Sequence, residues 1–190
     1  MVSGSGELTL RWDSDSAVFH FDAGAVCLEL LTTGGAAGYP GFESLRSPEN
    51  LTDWLATCRL RIAANARADD VAEARDLRGA IWTASLAVIA GTPPPRRAVA
   101  TINQVAASTP PTPVLAGGRR SWAASTGAQA LSAIARDAVE LFGGPYARRI
   151  RQCASDNCAL VFVDLSRPGQ RRWCAMERCG NRAKQRARRR

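Results

Sequence analysis

Apolar residues recur along the chain at two spacings, and each spacing predicts its own kind of element. Glu7 to Trp12 alternates, with Leu8, Leu10 and Trp12 on one face, and Val18 to Phe21 resumes after the turn-forming run Asp13-Ser14-Asp15-Ser16. That pair predicts a β-hairpin. Ala25 to Thr33 is a short apolar run that fits a strand or a buried helix equally well, and Gly34 to Gly41 reads as loop. From Ser47 the spacing becomes helical. Ser47 suits an N-cap with Pro48 at the first helical position, followed by Leu51, Trp54, Leu55, Cys58 and Ile62. Asp70 with Glu73 makes an acidic variant of a capping box before Val71, Ala74, Leu77, Ile81, Trp82, Ser85 and Ile89, a long helix that Gly91 ends. Thr92 and Pro93 to Pro95 open another, with Val99, Ile102, Val105 and Ala106 inward. After the break at Pro110 to Pro113, Val114-Leu115 and Ser121-Trp122-Ala123 flank Gly117-Gly118 as a second hairpin. Thr126 caps a helix carrying Ala128, Leu131, Ile134, Ala135, Ala138, Leu141 and Phe142, which Gly143-Gly144-Pro145 stops.

The pattern predicts an α+β fold: a mainly helical N-terminal domain with short β-hairpins over residues 1–144, and a small module over residues 145–190. Such stripes of apolar residues are the ordinary packing faces of soluble helices. No internal repeat interrupts the order.

Composition adds limits. Of the 190 residues, 46% are apolar and 22% charged, a globular balance. No run approaches the roughly 20 apolar residues of a membrane span. Met1 to Leu8 lacks the basic and apolar regions of a signal peptide, so the expected location is the cytoplasm, with no membrane partner. The abundance of Ala, Gly and Arg suggests a GC-rich, bacterial genome.

Charge changes the picture more. Residues 145–190 hold 13 Lys or Arg against Asp156, Asp164 and Glu177, a net of +10, whereas residues 1–144 hold 12 Arg against 14 Asp or Glu, a net of −2. A mildly acidic body with a basic end suits an end that meets a polyanion.

The six cysteines divide the same way. Cys27 and Cys58 lie apart in apolar stretches of the body. Cys153-x4-Cys158-x15-Cys174-x4-Cys179 is two close pairs on either side of a loop, the spacing that offers four thiolates to one tetrahedral, structural Zn²⁺. Four cysteines also serve iron–sulfur clusters, and a redox dithiol is a further alternative, although it normally uses a closer pair. Between the pairs, Leu160 to Asp164 reads as a strand and Ser166-Arg167-Pro168-Gly169-Gln170 as a turn, while Arg171 to Cys179 leads into a second turn or a helix start. Arg171, Arg172, Arg178 and Arg182 surround the second pair and are placed to offset thiolate charge.

The segment Arg171-Arg172-Trp173-Cys174-Ala175-Met176-Glu177-Arg178-Cys179-Gly180-Asn181-Arg182-Ala183-Lys184 resembles the signature of the CGNR zinc finger, preceded as in that family by a cysteine pair and by Phe162-x-Asp164-x-Ser166. The resemblance runs over residues 150 to 187. In that family the finger usually follows an ABATE domain in stress-induced transcriptional regulators, and the body here is similar to such a domain in length and helical order. Where that family tends to show Leu-Asp-Phe-x-Asn-Thr, this chain reads Leu28-Glu29-Leu30-Leu31-Thr32-Thr33. The resemblance implies a treble-clef-like or ribbon-like finger.

The expected function is therefore a zinc-dependent, DNA-binding transcriptional regulator, with the body as a sensor of a small-molecule or protein effector or as a homodimerisation unit. A basic helix starting near Cys179 would carry Arg182, Lys184, Arg186, Arg188, Arg189 and Arg190 to phosphates, joined by Arg171 and Arg172. Asn181 and Arg182 are candidates for base edges, although Asn181 equally suits a turn cap. Trp173 suits either base stacking or the finger's own small core. The alternatives are a zinc-scaffolded protein-interaction module and RNA binding. No enzyme is expected: the single His20 has no neighbouring nucleophile motif, and no phosphate loop or dinucleotide fingerprint occurs.

Overall fold

The computed structural model of the chain describes residues 7–11, 18–35, 42–167 and 169–188. Trp12, the expected turn at Asp13 to Ser16, most of the expected loop at Gly34 to Gly41, Pro168, Arg189 and Arg190 lie outside the described residues.

Strand β1 (Glu7–Arg11) pairs antiparallel with β2 (Val18–Asp22), Leu8 opposite Phe21. The ambiguous run that follows is helical: α1 (Val26–Glu29) continues as a 3₁₀ turn over Leu30–Thr33. Neighbouring elements cover it on all sides, so every α1 side chain is buried and no amphipathic period betrays the helix. A carboxylate from another element meets its N-terminus, Asp137 Oδ2 accepting from the Cys27 amide at 2.9 Å.

Helix α2 (Pro48–Thr57) starts at Ser47, whose Oγ accepts from the Asn50 amide at 3.4 Å. Helix α3 (Ala68–Ile89) begins two residues before the expected cap. Asp70 stands at its third position and reaches back to accept from the Arg67 amide at 2.7 Å, so it is the far half of a cap and not the N-cap itself. Helix α4 (Arg96–Ala106) is rotated from expectation: Ala98, Ile102 and Val105 face inward, while Val99 is 39% exposed. Ile102 and Val105 keep their inward places, and Ala98 takes the inward place expected of Val99.

Strands β3 (Ala64–Asn65) and β6 (Ser125–Thr126) form a short parallel bridge. Between α4 and β6, β4 (Pro113–Ala116) and β5 (Arg119–Trp122) form the second hairpin. Gly117 and Gly118, at φ +55° and +72°, make its two-residue turn in the left-handed region. Thr126 and Gln129 cap α5 (Gly127–Gly143) reciprocally, at 3.2 Å and 2.9 Å. Helix α3 lies at the centre, against α2, α4 and α5.

Beyond α5, β7 (Ile150–Gln152) pairs antiparallel with β8 (Val161–Val163), a turn spans Met176–Gly180, and α6 (Asn181–Arg188) closes the described chain. This terminal unit does not hang free. The Val163 amide donates to Ala23 O at 2.9 Å, extending the line of β2 onto β8. Gly24, at φ +79°, lets the backbones close, because a Cβ there would stand 2.9 Å from Val163 Cβ. Ile150, Val161, Phe162 and Val163 join the same core as Phe21, Leu28, Leu77 and Ile81. Among the described residues no helix is long and apolar enough to cross a membrane.

Two buried polar links tie the segment after β2 to the helices. Glu29, fully buried, accepts from the Arg59 amide at 3.0 Å and pairs with the Arg59 guanidinium, which also reaches Asp22 Oδ1 at 2.8 Å. Burial pushes the Glu29 carboxyl up, against the opposing pull of Arg59. Arg78 donates to Thr33 Oγ1 and Glu43 Oε1, each at 2.9 Å, from a nearly buried position on α3. Replacing Arg78 by Ala would leave Glu43 and Thr33 without their buried donor. The Arg78→Ala protein is expected to lose about 3 kcal/mol of unfolding free energy in urea titration, and Arg78→Lys less.

Candidate metal centre

The first cysteine pair sits at the tip of the β7–β8 hairpin. The Cys153 amide donates to Leu160 O at 2.9 Å, continuing the ladder, and the Cys158 amide donates to Ser155 O at 3.0 Å, closing a tight turn between the two thiols. The second pair brackets the turn that leads into α6. Ala154 N donates to Arg172 O at 2.9 Å, which holds the segment before Cys174 against the first turn. The Cys174 amide in turn points at Cys153 Sγ, at 3.4 Å. One turn on a hairpin and one at the head of a helix make the finger treble-clef-like.

All four sulfurs lie within 4.8 Å of one another, with Cys158–Cys174 at 3.7 Å and Cys174–Cys179 at 3.5 Å. A tetrahedron of thiolates at about 2.3 Å from zinc has edges of about 3.8 Å, so the spacing fits one Zn²⁺. The acid–base chemistry points the same way. Hydrogen bonds from Cys158 and Cys174 pull the Cys153 thiol down, while the contact with Cys153 pushes Cys158 and Cys174 up. Without a cation one sulfur can ionise only at its neighbours' expense, and a divalent ion lifts that limit. Cys27 and Cys58 are of another kind. Burial pushes the Cys58 thiol up to about 11 and raises Cys27 too, with Asp137 adding to the latter, so both are inert core thiols.

Residues 24–145 match the model of the ABATE family, described as a putative stress-induced transcription regulator. The chain belongs to the ABATE family. Residues 149–190 match the CGNR zinc finger, so the four clustered cysteines are those of a zinc-binding module. Neither description is that of an enzyme family. No curated protein matches the chain.

In the ABATE part, the polar positions of the segment Leu28 to Thr33 are consumed internally. Glu29 is held by Arg59, Thr32 Oγ1 donates to Glu29 O at 2.7 Å, and Thr33 Oγ1 donates to Leu30 O at 2.7 Å while accepting from Arg78. Substituting Glu and Thr at these positions thus leaves a packed, hydrogen-bonded motif.

In the CGNR finger the buried Asp164 organises the loop between the pairs. Its carboxylate accepts from the Ser166 amide at 3.0 Å, the Ser166 hydroxyl at 2.6 Å and the Arg171 amide at 2.9 Å. Burial works to raise its pKa, but these donors and the nearby Arg149 prevail and hold it below the ordinary carboxylate range. The spacing Phe162-x-Asp164-x-Ser166 was the only sequence signal of this role, an Asx turn two residues long.

The basic residues of the finger separate into two groups. Arg171 is a structural clamp. Its guanidinium lies over the Phe162 ring at 4.1 Å, donates to Trp173 O at 3.0 Å and to Cys174 O, and crosses to Asp22 O on β2 at 3.3 Å. Arg178 is buried. Arg151 folds back onto the carbonyls of Arg148 and Ile150. The exposed group is Arg172, stacked 5.2 Å over Trp173, with Lys184, Arg186 and Arg188 on α6; Arg182 is half-buried there. Asn181 Nδ2 donates to Glu177 O at 3.3 Å, the capping role. Trp173 is half-buried and packed beside Gly180 and the core. Glu177, unremarked in the sequence, accepts from the His20 amide at 2.9 Å and so pins the second zinc turn to β2.

Because β2 leans on the finger through Ala23, Asp22 and His20, metal removal should reach the body. Chelating the zinc is expected to lower one thermal transition of the whole chain by about 10 °C, with faster hydrogen exchange in β8 and at the turn after β2. A separate finger transition, with the body's melting unchanged, would contradict this. Asp164→Ala is expected to cost about 2–3 kcal/mol by leaving buried N–H groups unsatisfied. Since folding lowers the Asp164 pKa, its contribution is complete above the unfolded carboxylate pKa and lost as pH falls through the folded value. The difference between Asp164→Ala and the parent should therefore shrink below about pH 4 in acid titrations of unfolding.

Proposed function

We propose that this chain is a zinc-dependent, DNA-binding transcriptional regulator that responds to stress in the cytoplasm. Residues 1–144 act as the sensing or dimerising unit, and residues 145–190 dock on the nucleic acid, with Cys153, Cys158, Cys174 and Cys179 holding one structural zinc ion. The observation that carries this reading is the position of α6. It starts two residues after Cys179, it holds no acidic residue, and its Lys184, Arg186 and Arg188 are exposed.

Zinc acts here as a brace: it fixes the turn at Met176–Gly180 and with it the direction in which α6 leaves the finger. The helix alone is eight residues and lacks an apolar stripe, so it would be marginal in water without that start. Arg186 pairs with Asp156 at 3.2 Å, but both side chains are exposed, at 53% and 91%. Such a surface pair is worth little and exchanges readily for a phosphate. Arg172, Arg182, Lys184, Arg186, Arg188 and Arg189 supply phosphate contacts, and each contact releases a counterion. Arg171, although basic, contributes by holding the finger to β2, and Asn181 by capping the turn.

Fluorescence anisotropy with duplex DNA, single strands and RNA across a salt series tests the reading. The zinc-loaded protein is expected to prefer the duplex. Deleting residues 186–190, which removes four arginines, should flatten the log–log salt slope by up to about 3.6. Cys174→Ser should weaken binding through loss of the brace. Full retention of binding in that variant, or a preference for RNA or an acidic peptide over duplex, would overturn the proposal.

A further inference from the structure

The mild acidity of the body hides a strong asymmetry. Between Asp76 and Asp137 the chain carries six arginines and not one Asp or Glu. Of these, Arg78 is used by Glu43 and Arg136 by Ser108 O. Arg96 and Arg97 lie exposed at the start of α4, and the remaining two are Arg119 and Arg120. Both are exposed on the β4–β5 ribbon, next to its Gly117-Gly118 turn, and among the described residues no carboxylate pairs with either.

The ribbon itself has little structural reason to exist. Every residue from Pro113 to Ser121 is exposed, and Leu115, near the tip, is 81% exposed. Only the root is anchored, where Trp122 Nε1 donates to Leu60 O at 2.7 Å. Above the anchor the Arg120 guanidinium lies over the Trp122 ring, its Cζ 4.2 Å from the centroid. Stacking uses the face of a guanidinium and leaves its N–H edge free and pre-oriented for an anion.

The register places the two arginines on opposite faces. Leu115 is opposite Arg120 and Ala116 is opposite Arg119, and neighbours along a strand alternate. A two-stranded ribbon is of a size that the major groove of B-DNA, about 12 Å wide, admits. With one guanidinium on each face, a ribbon seated there reaches the phosphates of both walls. The root is also linked to the finger: Leu60 adjoins Arg59, Arg59 holds Asp22 at 2.8 Å, and Asp22 O accepts from Arg171 at 3.3 Å.

We infer that the β4–β5 ribbon is a second duplex-DNA contact, with Arg119 and Arg120 on phosphates of opposite strands and Leu115 lying apolar in the groove. The inference rests on the reading of the finger as a DNA-binding module and assigns a further element to that surface. Edge-to-edge pairing of two copies through β5 would bring four arginines of like charge together.

The test uses the full zinc-loaded chain and duplex DNA in a salt series. Arg119→Ala/Arg120→Ala is expected to weaken binding about 10-fold or more at low salt and to reduce the salt slope by about 1.8, two contacts' worth. Arg119→Lys/Arg120→Lys should restore the slope. Arg96→Ala/Arg97→Ala, on α4, removes the same charge and controls for long-range attraction; it should leave the slope within about 0.5 of the parent. Zinc content and circular dichroism establish that each variant is folded. An unchanged slope in Arg119→Ala/Arg120→Ala, or an equal fall in the α4 control, overturns the inference while leaving the finger's role intact. Failure of the parent protein to bind duplex at all would instead overturn the proposed function beneath it.

Discussion

Four thiols inside a 4.8 Å cluster cannot all be anions unless a cation lies among them, and the shape of the C-terminal quarter follows from that constraint. The cation fixes the distance between the tip of a hairpin and the head of a helix. Once that distance is fixed, Ala154 can pair with Arg172, the segment before Cys174 is held, and α6 has one direction in which to leave. The same geometry turns β8 outward, where its Val163 amide finds Ala23 and its side chains enter the core of the helical body. Arg171 closes the loop by bridging the zinc turn's carbonyls to Asp22. A metal site at one end of the chain is thereby wired, through backbone hydrogen bonds, into the segment just after the first hairpin.

That segment is also where the ABATE part concentrates its buried charge. Glu29–Arg59–Asp22 and Thr33–Arg78–Glu43 hold α1 and its 3₁₀ extension in a core that gives them no solvent. Removing one member leaves an uncompensated buried group, so such links enforce a unique arrangement more than they add net stability. Asp22 belongs to both systems: its carboxylate faces Arg59 and its carbonyl faces Arg171. A displacement of Asp22 would be felt at the finger and in the core together.

Features written in local chemistry were legible in the sequence. Ser47, Thr126 and Gly117-Gly118 announce caps and a turn by residue type, and the four cysteines announce their cluster by spacing. What escaped was non-local. The start of α3 lies two residues before the position its sequence suggests, because Asp70 satisfies the Arg67 amide from the third position of the helix. The identity of α1 was undecidable because burial on all sides erases periodicity. Strand β7 carries two polar residues out of three, Arg151 and Gln152, and exists because β8 pairs with it. The docking of the finger on Ala23 and the clamp made by Arg171 depend on backbone carbonyls, which every residue type offers and no sequence pattern marks.

Formal charge was a poorer guide than charge left available. The count of +10 over residues 145–190 includes Arg171, Arg178 and Arg151, all of which are occupied in holding the finger together or in place. The body's −2 in turn includes Asp22, Glu29 and Glu43, whose fields are spent on Arg59 and Arg78 a few ångströms away. An internal ion pair carries no net charge, so cancelling such pairs leaves the contrast between a basic end and an acidic body and changes only which groups face a partner. What remains is exposed arginine at Arg172, Arg186 and Arg188 of the finger, Arg96 and Arg97 on α4, and Arg119 and Arg120 on the β4–β5 ribbon, the finger and the ribbon being joined through Asp22 and the residues that hold it. A polyanion meets that remainder rather than the sum, since groups already paired at contact distance have little field left at the range of a Debye length.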